Sequence, residues 1–235
     1  MRALRERARC FYVQRVYNRI IRLAPRSQQP YSTHVPVLAA MGIIAQPVRV
    51  LEYGSGLIST PAFLNRAAFP KLKHLASFEN SREWHENVTS SIRDDARAQL
   101  RLTEGPMKDA VARDELAAAD LVFVDDSDEL GRAQTIMAIA DSRPLGIPVV
   151  IHDLELRHIR RSADLFDHVF RFDAFHPQTG VAWNGRWRPA SVLPLVNRLI
   201  RQCSLTVPSN DLERWAHIFS EITELSQGFI GNSFR

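Results

Sequence analysis

This sequence lacks clustered cysteines, long apolar runs and internal repeats. Its two cysteines, Cys10 and Cys203, stand far apart without the close spacing of metal ligands. This disfavours a zinc site or a disulfide framework and suits a reducing compartment. No run reaches the ~18 uninterrupted apolar residues of a transmembrane helix, so any membrane contact is expected to be peripheral. With 235 residues, of which 45% are hydrophobic, the chain is long enough to bury a full core.

The order of apolar segments predicts an α/β fold, because strand-like runs alternate with helix-like segments. The strand-like runs lie near residues 48–54, 73–79, 98–103, 120–126 and 147–152, and the helix-like segments near residues 59–69, 81–97, 107–118, 129–141 and 155–166. After these, His168–Phe175 and Val181–Trp187 are two short aromatic-rich strands that predict a closing antiparallel hairpin. Right-handed crossovers place the carboxyl ends of the parallel strands along one edge of the sheet.

Residues 48–60 form the most informative segment, in which an apolar run leads to an acid, a glycine turn and a helix start. Gly54 and Gly56 allow backbone torsions and a close approach that a Cβ would block. Ser59 or Thr60 is suited to cap the helix that follows. The segment therefore predicts a cradle for a nucleotide phosphate or a nucleoside at the helix N-terminus.

The second predicted strand also ends in an acid, Glu79. In doubly wound sheets an acid at this place accepts hydrogen bonds from the two ribose hydroxyls of an adenosine-containing ligand. The alternative role is that of a carboxylate at a helix N-terminus, where the helix dipole favours negative charge.

These elements, taken in order, resemble the class I S-adenosylmethionine-dependent methyltransferases, and within them the small-molecule O-methyltransferase-like branch. The resemblance covers roughly residues 31–190. The matching segments are Leu51-Glu52-Tyr53-Gly54-Ser55-Gly56 with Ser59-Thr60, Ser77-Phe78-Glu79-Asn80 with Glu83-Trp84, Leu121-Val122-Phe123-Val124-Asp125-Asp126, and Val149-Val150-Ile151-His152-Asp153. Many family members carry a third glycine where this chain has Leu57 and Ile58.

The resemblance implies a doubly wound, mostly parallel seven-stranded sheet with a closing antiparallel hairpin, the Rossmann-like methyltransferase fold. It implies S-adenosylmethionine as methyl donor and the hydroxyl of a small molecule, sugar or glycolipid as acceptor. The residues expected to bind the donor are Glu52, Gly54, Ser55 and Gly56 at its methionine part, Glu79 at its ribose, and Glu104 with Gly105 at its adenine.

Asp125, His152 and Asp153 end the fourth and fifth predicted strands and are expected to face the acceptor as catalytic residues. Asp125 and Asp153 are suited to bind Mg²⁺, which lowers the pKa of a substrate hydroxyl. Metal-dependent relatives usually place an Asn after the second Asp, however, and Leu154 stands there. His152 is the alternative, as a general base near neutral pH, although a buried imidazole bonded to the backbone fits the sequence as well. We favour the metal-free route.

Two helix starts compete with these functional roles. Asn80 with Glu83, and Asp126 with Glu129, both have the spacing of a cap residue and the N3 acid that completes a capping box. By this spacing Asp126 is expected to be a helix cap.

Positive charge is concentrated in residues 1–26, where eight arginines face one glutamate and give a net charge of +7. The whole chain carries +4, so the remainder is acidic at −3. Apolar residues at four-residue spacing make this segment an amphipathic basic helix. Such a helix lies on an anionic membrane, or packs on its own domain or on a second subunit of a homodimer. A mitochondrial-type transit peptide is a further alternative, while the acidic body disfavours nucleic-acid binding.

The sequence therefore predicts three parts: a basic N-terminal helix and linker over residues 1–30, a donor-binding domain over 31–190, and a helical extension over 191–235. The expected location is the cytoplasm, with the inner face of a membrane as a variant. An aminopropyltransferase with the same donor cradle and a non-catalytic docking module for a membrane or a partner are the alternative functions. An aminopropyltransferase calls for a dense acidic lid, of which Asp125-Asp126 and Asp128-Glu129 give only an indication.

Overall fold

The computed structural model describes residues 32–92, 95–126 and 128–231, and within the last range only the backbone of residue 222 and of residues 224–231. The predicted basic helix of residues 1–30 lies outside the described residues. In the described part of the chain, no helix combines the length and the apolar character that crossing a membrane requires.

The fold is built on one seven-stranded sheet with the order β3-β2-β1-β4-β5-β7-β6. The strands are β1 Arg49–Tyr53, β2 His74–Glu79, β3 Ala98–Leu102, β4 Leu121–Val124, β5 Val149–His152, β6 His168–Phe172 and β7 Thr179–Trp183. Strands β1 to β5 pair in parallel, and β7 runs antiparallel to both β5 and β6. This confirms the predicted mostly parallel sheet with a closing antiparallel hairpin. All four residues of β4 and of β5 are buried, as is typical of central strands covered on both faces.

The helices cover both faces of this sheet. They are α1 Val35–Ala45, α2 Ser59–Leu64, α3 Arg82–Ile92, α4 Arg113–Ala118, α5 Glu129–Asp141, α6 Arg157–Ala163, α7 Leu193–Cys203 and α8 Leu212–Gly231, with short 3₁₀ turns at Met107–Ala110 and Arg188–Val192. The helix predicted near residues 107–118 is thus a 3₁₀ turn followed by α4. The second hairpin strand begins two residues earlier than predicted, since Thr179 already pairs with Phe172.

Helix α1 was not anticipated from the sequence, because it has no polar face to create a helical period. Its residues from Val35 to Ile43 are all buried, and Pro36 stands in its first turn, where a missing N–H costs nothing. The helix packs against α8. Its N-terminus brings residues 32–34 to the carboxyl edge of the sheet, where Thr33 contacts His152.

Alternate residues of the strands supply two apolar cores, one on each face of the sheet. Val50 and Phe123 belong to the core that also contains side chains of α1, α7 and α8. Leu51 and Val122 belong to the other core, together with side chains of α4, α5 and α6. The two C-terminal helices therefore share a core with the sheet, which holds α1 and the residues before it in place.

Two helix caps differ from the sequence prediction. Helix α5 is capped by Asp128, whose carboxylate accepts a hydrogen bond of 2.8 Å from the N–H of Gly131. Asp126 is instead buried and accepts a hydrogen bond of 2.9 Å from the Thr135 hydroxyl. At α3 it is Ser81 rather than Asn80 whose side chain accepts from the helix, through the N–H of Trp84 at 3.3 Å.

Candidate active site at the carboxyl edge of the sheet

The glycine loop after β1 is packed directly on the end of β4. The N–H groups of Gly54 and Ser55 both donate to the carbonyl of Phe78 on β2, at 2.9 and 3.2 Å. Gly54 has a φ of +89°, and a Cβ at this position would stand 2.5 Å from the carbonyl oxygen of Asp125. Only glycine meets both conditions without strain. The predicted donor loop and the predicted acceptor side of the site are therefore in contact.

Glu52 is fully buried beneath this loop and is connected to the loop backbone by hydrogen bonds. One carboxylate oxygen accepts hydrogen bonds from the hydroxyls of Thr60 at 2.8 Å and Ser77 at 2.6 Å. Thr60 in turn accepts from the N–H of Gly56 at 3.0 Å, so the acid is linked to the loop backbone. Burial raises the pKa of Glu52 to about 7, although hydrogen bonds from Ser59, Ser77 and Thr60 oppose the rise.

Glu79 has the second of the two roles that the sequence left open, and it also faces the glycine loop. Its Oε1 accepts hydrogen bonds from the N–H groups of Asn80 and Ser81, at 2.9 and 2.8 Å, which is the role of a carboxylate before a helix. Its Oε2 accepts a longer bond of 3.3 Å from the hydroxyl of Ser55 in the glycine loop. The indole N–H of Trp84 donates to the carbonyl of the same Ser55 at 2.6 Å. Glu79 thus faces the loop and is suited to accept hydrogen bonds from a ligand there.

Glu104 and Gly105 lie in the exposed loop after β3. The N–H of Thr103 donates to the carbonyl of Glu79 at 2.7 Å, so this loop begins next to Glu79. Gly105 has a φ of +95° with open space around its Cα. Both residues directly follow Thr103, which contacts Glu79, and their predicted role in binding adenine stays a prediction.

The predicted catalytic residues Asp125 and His152 meet at the ends of β4 and β5. The Nδ1 atom of His152 lies 3.1 Å from Oδ1 of Asp125 and 3.6 Å from Oδ1 of Asp153. Burial lowers the pKa of His152, but the hydrogen bond to Asp125 and the charges of the two carboxylates outweigh it, and the net shift is upward. Burial likewise opposes ionisation of Asp125, yet His152 and Arg132 lower its pKa overall. The pair is therefore a hydrogen-bonded carboxylate and imidazole, in which each group favours the charged form of the other.

Arg132, on α5, joins the two carboxylates that the sequence offered as Mg²⁺ ligands. Its guanidinium lies 3.0 Å from Oδ1 of Asp125 and donates a hydrogen bond to Asp153. Its Nε donates to the carbonyl of Asp126 at 2.9 Å. This buried, permanently charged group already contacts both acids, and Leu154 is buried in the apolar core. The geometry does not support a Mg²⁺ site at Asp125 and Asp153, because a divalent cation would have to displace or stand beside the guanidinium.

Thr33 and His34 belong to the site but gave no signal in the sequence. The hydroxyl of Thr33 lies 3.0 Å from Nε2 of His152, and the ring of His34 meets the His152 ring edge-on with centroids 4.9 Å apart. Burial lowers the pKa of His34 to about 3, so its ring is neutral. The two residues lie 118 or more positions before His152 in the chain, and only the packing of α1 brings them to β5.

Ligand atoms of His34, Asp125 and His152 lie within 4.8 Å of one another, a spacing that a metal ion could span. Both nitrogens of His152 are already engaged, one by Asp125 and the other by Thr33. The guanidinium of Arg132 also contacts the only carboxylate of the set. A cation there would break existing hydrogen bonds and face a fixed positive charge, so the geometry does not favour a metal ion at these three residues.

No protein-family model and no curated protein matches this sequence. Distant similarity exists to solved structures. An O-methyltransferase family protein from Burkholderia thailandensis is 13% identical with a TM-score of 0.46, over 65% of this chain and 56% of that chain. The O-methyltransferase TomG from Streptomyces achromogenes, solved with S-adenosylmethionine, is 17% identical with a TM-score of 0.46, over 68% of this chain and 82% of that chain. A spermidine synthase from Thermotoga maritima is 15% identical with a TM-score of 0.46, over 68% of this chain and 62% of that chain.

This chain thus spans less than two thirds of the length of the first and the last of these three proteins. At such low identity the activity of this chain has to be inferred from its own residues.

Proposed function

We propose that this chain is an S-adenosylmethionine-dependent methyltransferase that methylates a hydroxyl oxygen of a small molecule, sugar or glycolipid. The observation that carries the proposal is the contact between the two halves of the site: the glycine loop with Glu79 lies against the Asp125–His152 pair. When bound, S-adenosylmethionine supplies an electrophilic methyl group on a sulfonium. The chain's own residues hold the reactants and accept a proton.

The donor half fits a nucleoside-containing ligand. Gly54 allows the loop to turn at the end of β1, and Glu79 presents an oxygen beside Ser55 that is suited to accept hydrogen bonds from a ribose. The buried Glu52 keeps the loop in shape through Thr60. These contacts explain how a loop without a third glycine, with Leu57 and Ile58 instead, still holds its turn.

The acceptor half fits oxygen methylation by general base catalysis. A hydroxyl becomes a competent nucleophile only when its proton has a place to go in the transition state. His152 provides that place, and Asp125 stabilises the imidazolium that results. Arg132 helps to keep Asp125 ionised, and the charges of Asp125 and Asp153 keep the pKa of His152 above its ordinary value.

The aminopropyltransferase alternative is less well supported by the described residues. Each of the four acids that gave a hint of a polyamine-binding lid has a structural partner. Asp125 contacts His152 and Arg132, Asp126 contacts Thr135, Asp128 caps α5, and Glu129 accepts a hydrogen bond from the N–H of His158. A cationic polyamine would need free carboxylates, and these are committed.

Calorimetry with S-adenosylmethionine and S-adenosylhomocysteine tests the donor half first. Binding of both is expected, and binding of neither would reject the proposal and favour a docking module. Methyl transfer is then assayed with a panel of catechols, phenols and sugar glycosides. A parallel assay with decarboxylated S-adenosylmethionine and putrescine tests the alternative activity, aminopropyl transfer.

For the acceptor half, His152→Ala is expected to lower turnover by ~10²–10⁴ while donor affinity is retained. The matched control is His168→Ala, which removes an exposed imidazole on β6. Turnover of the wild type is expected to survive a chelator. Loss of activity on chelation, restored by Mg²⁺, would overturn the base mechanism in favour of the metal route.

A further inference from the structure

The nitrogen of His152 that can accept a proton is Nε2. An ionised carboxylate only accepts hydrogen bonds, so the contact of 3.1 Å between Nδ1 and Asp125 requires the proton to be on Nδ1. In a neutral imidazole the other nitrogen then holds the free lone pair. The base of the proposed reaction is therefore Nε2, on the side of the ring that faces away from Asp125.

This lone pair points at a threonine hydroxyl. Oγ1 of Thr33 lies 3.0 Å from Nε2, and both residues are buried, with 5% and 6% of their surface exposed. A proton on its way to Nε2 must come from this hydroxyl, or must arrive after the hydroxyl has moved aside. Together Thr33, His152 and Asp125 form a chain of hydroxyl, imidazole and carboxylate, in which each group orients the next.

The backbone that carries Thr33 is held by hydrogen bonds of the residues on both sides of it. Ser32 shares a hydrogen bond of 2.7 Å with Ser209, in the turn before α8, and the carbonyl of His34 accepts from Leu38 in the first turn of α1. Helix α1 is itself buried between the sheet and α8. Because the backbone on each side of Thr33 is anchored, a fixed hydroxyl is more consistent with the structure than one that moves aside.

We propose that Thr33 is a catalytic residue that relays the proton of the acceptor hydroxyl to His152. The acceptor O–H bond breaks as its proton passes to Oγ1 of Thr33, while the proton of Thr33 passes to Nε2 of His152. The acceptor oxygen forms its new bond to the methyl carbon, and the bond between that carbon and the donor sulfur breaks. The products are a methyl ether, a thioether and the imidazolium of His152, with the hydroxyl of Thr33 restored. This inference rests on the proposed function.

A hydroxyl suits this task because it donates and accepts at the same time. It donates to the neutral Nε2 before transfer and accepts from the protonated Nε2 afterwards, without moving. The charged or titratable groups that face His152 are Asp125, Asp153, Arg132 and His34. None of them is altered by a substitution at Thr33, so an effect of that substitution can be separated from a change in the local charge.

The first test needs no acceptor. Full-length protein with ¹⁵N-labelled histidine rings and bound S-adenosylhomocysteine is compared as wild type, Thr33→Val and Thr33→Ser, with His152→Ala to assign the signals. We expect the Nε2 resonance of His152 to lose its hydrogen-bond shift in Thr33→Val and to keep it in Thr33→Ser, with Nδ1 protonated in all three. An unchanged Nε2 resonance in Thr33→Val would show that the hydrogen bond does not exist in solution and would overturn the proposal.

The second test measures methyl transfer to the acceptor that gives the highest turnover in the catechol, phenol and glycoside panel. Thr33→Val is expected to lower kcat by ~10-fold to ~10²-fold without weakening donor binding, and Thr33→Ser to restore most of it. The pH profile of Thr33→Val should also lose the limb assigned to His152. The matched control is Thr135→Val, which removes another buried threonine hydroxyl and is expected to leave kcat within about threefold.

The outcomes are distinguishable. Equal or higher turnover in Thr33→Val would mean that the hydroxyl only occupies Nε2 and steps aside, which rejects the relay while methyl transfer stands. If the wild type neither binds the donor nor transfers a methyl group, the proposed function fails and the relay is rejected with it. The ring spectra then still report whether the hydroxyl, imidazole and carboxylate are joined.

Discussion

The backbone of Asp125 occupies the space where a side chain on Gly54 would stand. A Cβ on Gly54 would lie 2.5 Å from the Asp125 carbonyl oxygen and 2.6 Å from its carbonyl carbon. This contact fixes the distance between the loop after β1, where the donor is expected, and the carboxylate that holds His152. Any change that moves β1 and β4 apart here therefore moves the glycine loop and the Asp125–His152 pair relative to each other.

Gly54→Ala is therefore expected to destabilise the protein more than Gly105→Ala does. Both glycines have a positive φ, +89° and +95°, so alanine at either position costs about 1 kcal/mol of backbone strain. Only at Gly54 would the added Cβ also clash with backbone atoms, those of Asp125. Urea unfolding of the two variants gives the comparison, with an expected difference of about 2 kcal/mol or more. Equal losses of unfolding free energy in the two variants would contradict this, because they would mean that the loop after β1 moves away from the end of β4 without an energetic cost.

Glu79→Ala is expected to weaken binding of S-adenosylmethionine by roughly 1.5–3 kcal/mol, the range for a hydrogen bond to a charged group. The same change removes the acceptor for the N–H groups of Asn80 and Ser81, so a loss of stability of ~1 kcal/mol accompanies it. Ser81→Ala serves as the control, because it weakens the same helix end without touching the carboxylate. Calorimetry that finds unchanged affinity in folded Glu79→Ala would restrict Glu79 to the helix end.

Glu52 is expected to make the protein less stable as the pH rises. Its folded pKa of about 7 exceeds the ordinary value of 4.5, so between these values the folded state keeps a proton that the unfolded chain has released. The unfolding free energy then falls with increasing pH over this interval, by up to ~3 kcal/mol. Glu52→Gln cannot titrate and should lack this part of the slope in urea unfolding between pH 5 and pH 8. An identical pH dependence of the unfolding free energy in the wild type and Glu52→Gln would contradict the raised pKa of Glu52.

Arg132→Met is expected to cost about 3–5 kcal/mol of stability, because it leaves the carboxylates of Asp125 and Asp153 without their counter-charge. Arg143→Met removes an arginine whose side chain is 73% exposed and lies 3.6 Å from Asp167, so it should change stability by less than ~0.5 kcal/mol. Thermal unfolding of the two variants checks the contrast. Full restoration of the stability of Arg132→Met by Mg²⁺ would show that Asp125 and Asp153 can bind this cation once the guanidinium is removed.

The basic N-terminal segment is proposed to serve location rather than donor binding. Deleting residues 1–24 should leave the affinity for S-adenosylmethionine intact and reduce binding to phosphatidylserine vesicles, most clearly at low salt. Vesicles of phosphatidylcholine alone are the control, since they offer no negative surface potential. Loss of folded protein on deletion would show instead that the segment packs on the domain or on a second subunit.

The sequence by itself determined the sheet and the polar residues at the ends of its strands. Buried strands such as β4 and β5 are continuous apolar runs, and the acids that follow parallel strands must lie at one edge, so Glu79, Asp125 and His152 could be located from the chain alone. The antiparallel hairpin was also predicted from the sequence, because two aromatic-rich runs flank a turn.

Only the tertiary structure decided which groups surround His152. Thr33 lies in a segment before a helix with no polar face, and Arg132 lies within α5, where an arginine is usually a solvated residue. Neither position has a local signal, because a partner supplied across the fold depends on how helices pack on the sheet and not on the spacing of residues along the chain. Packing placed a guanidinium between the two carboxylates that resembled a Mg²⁺ pair, and a hydroxyl against Nε2 of His152.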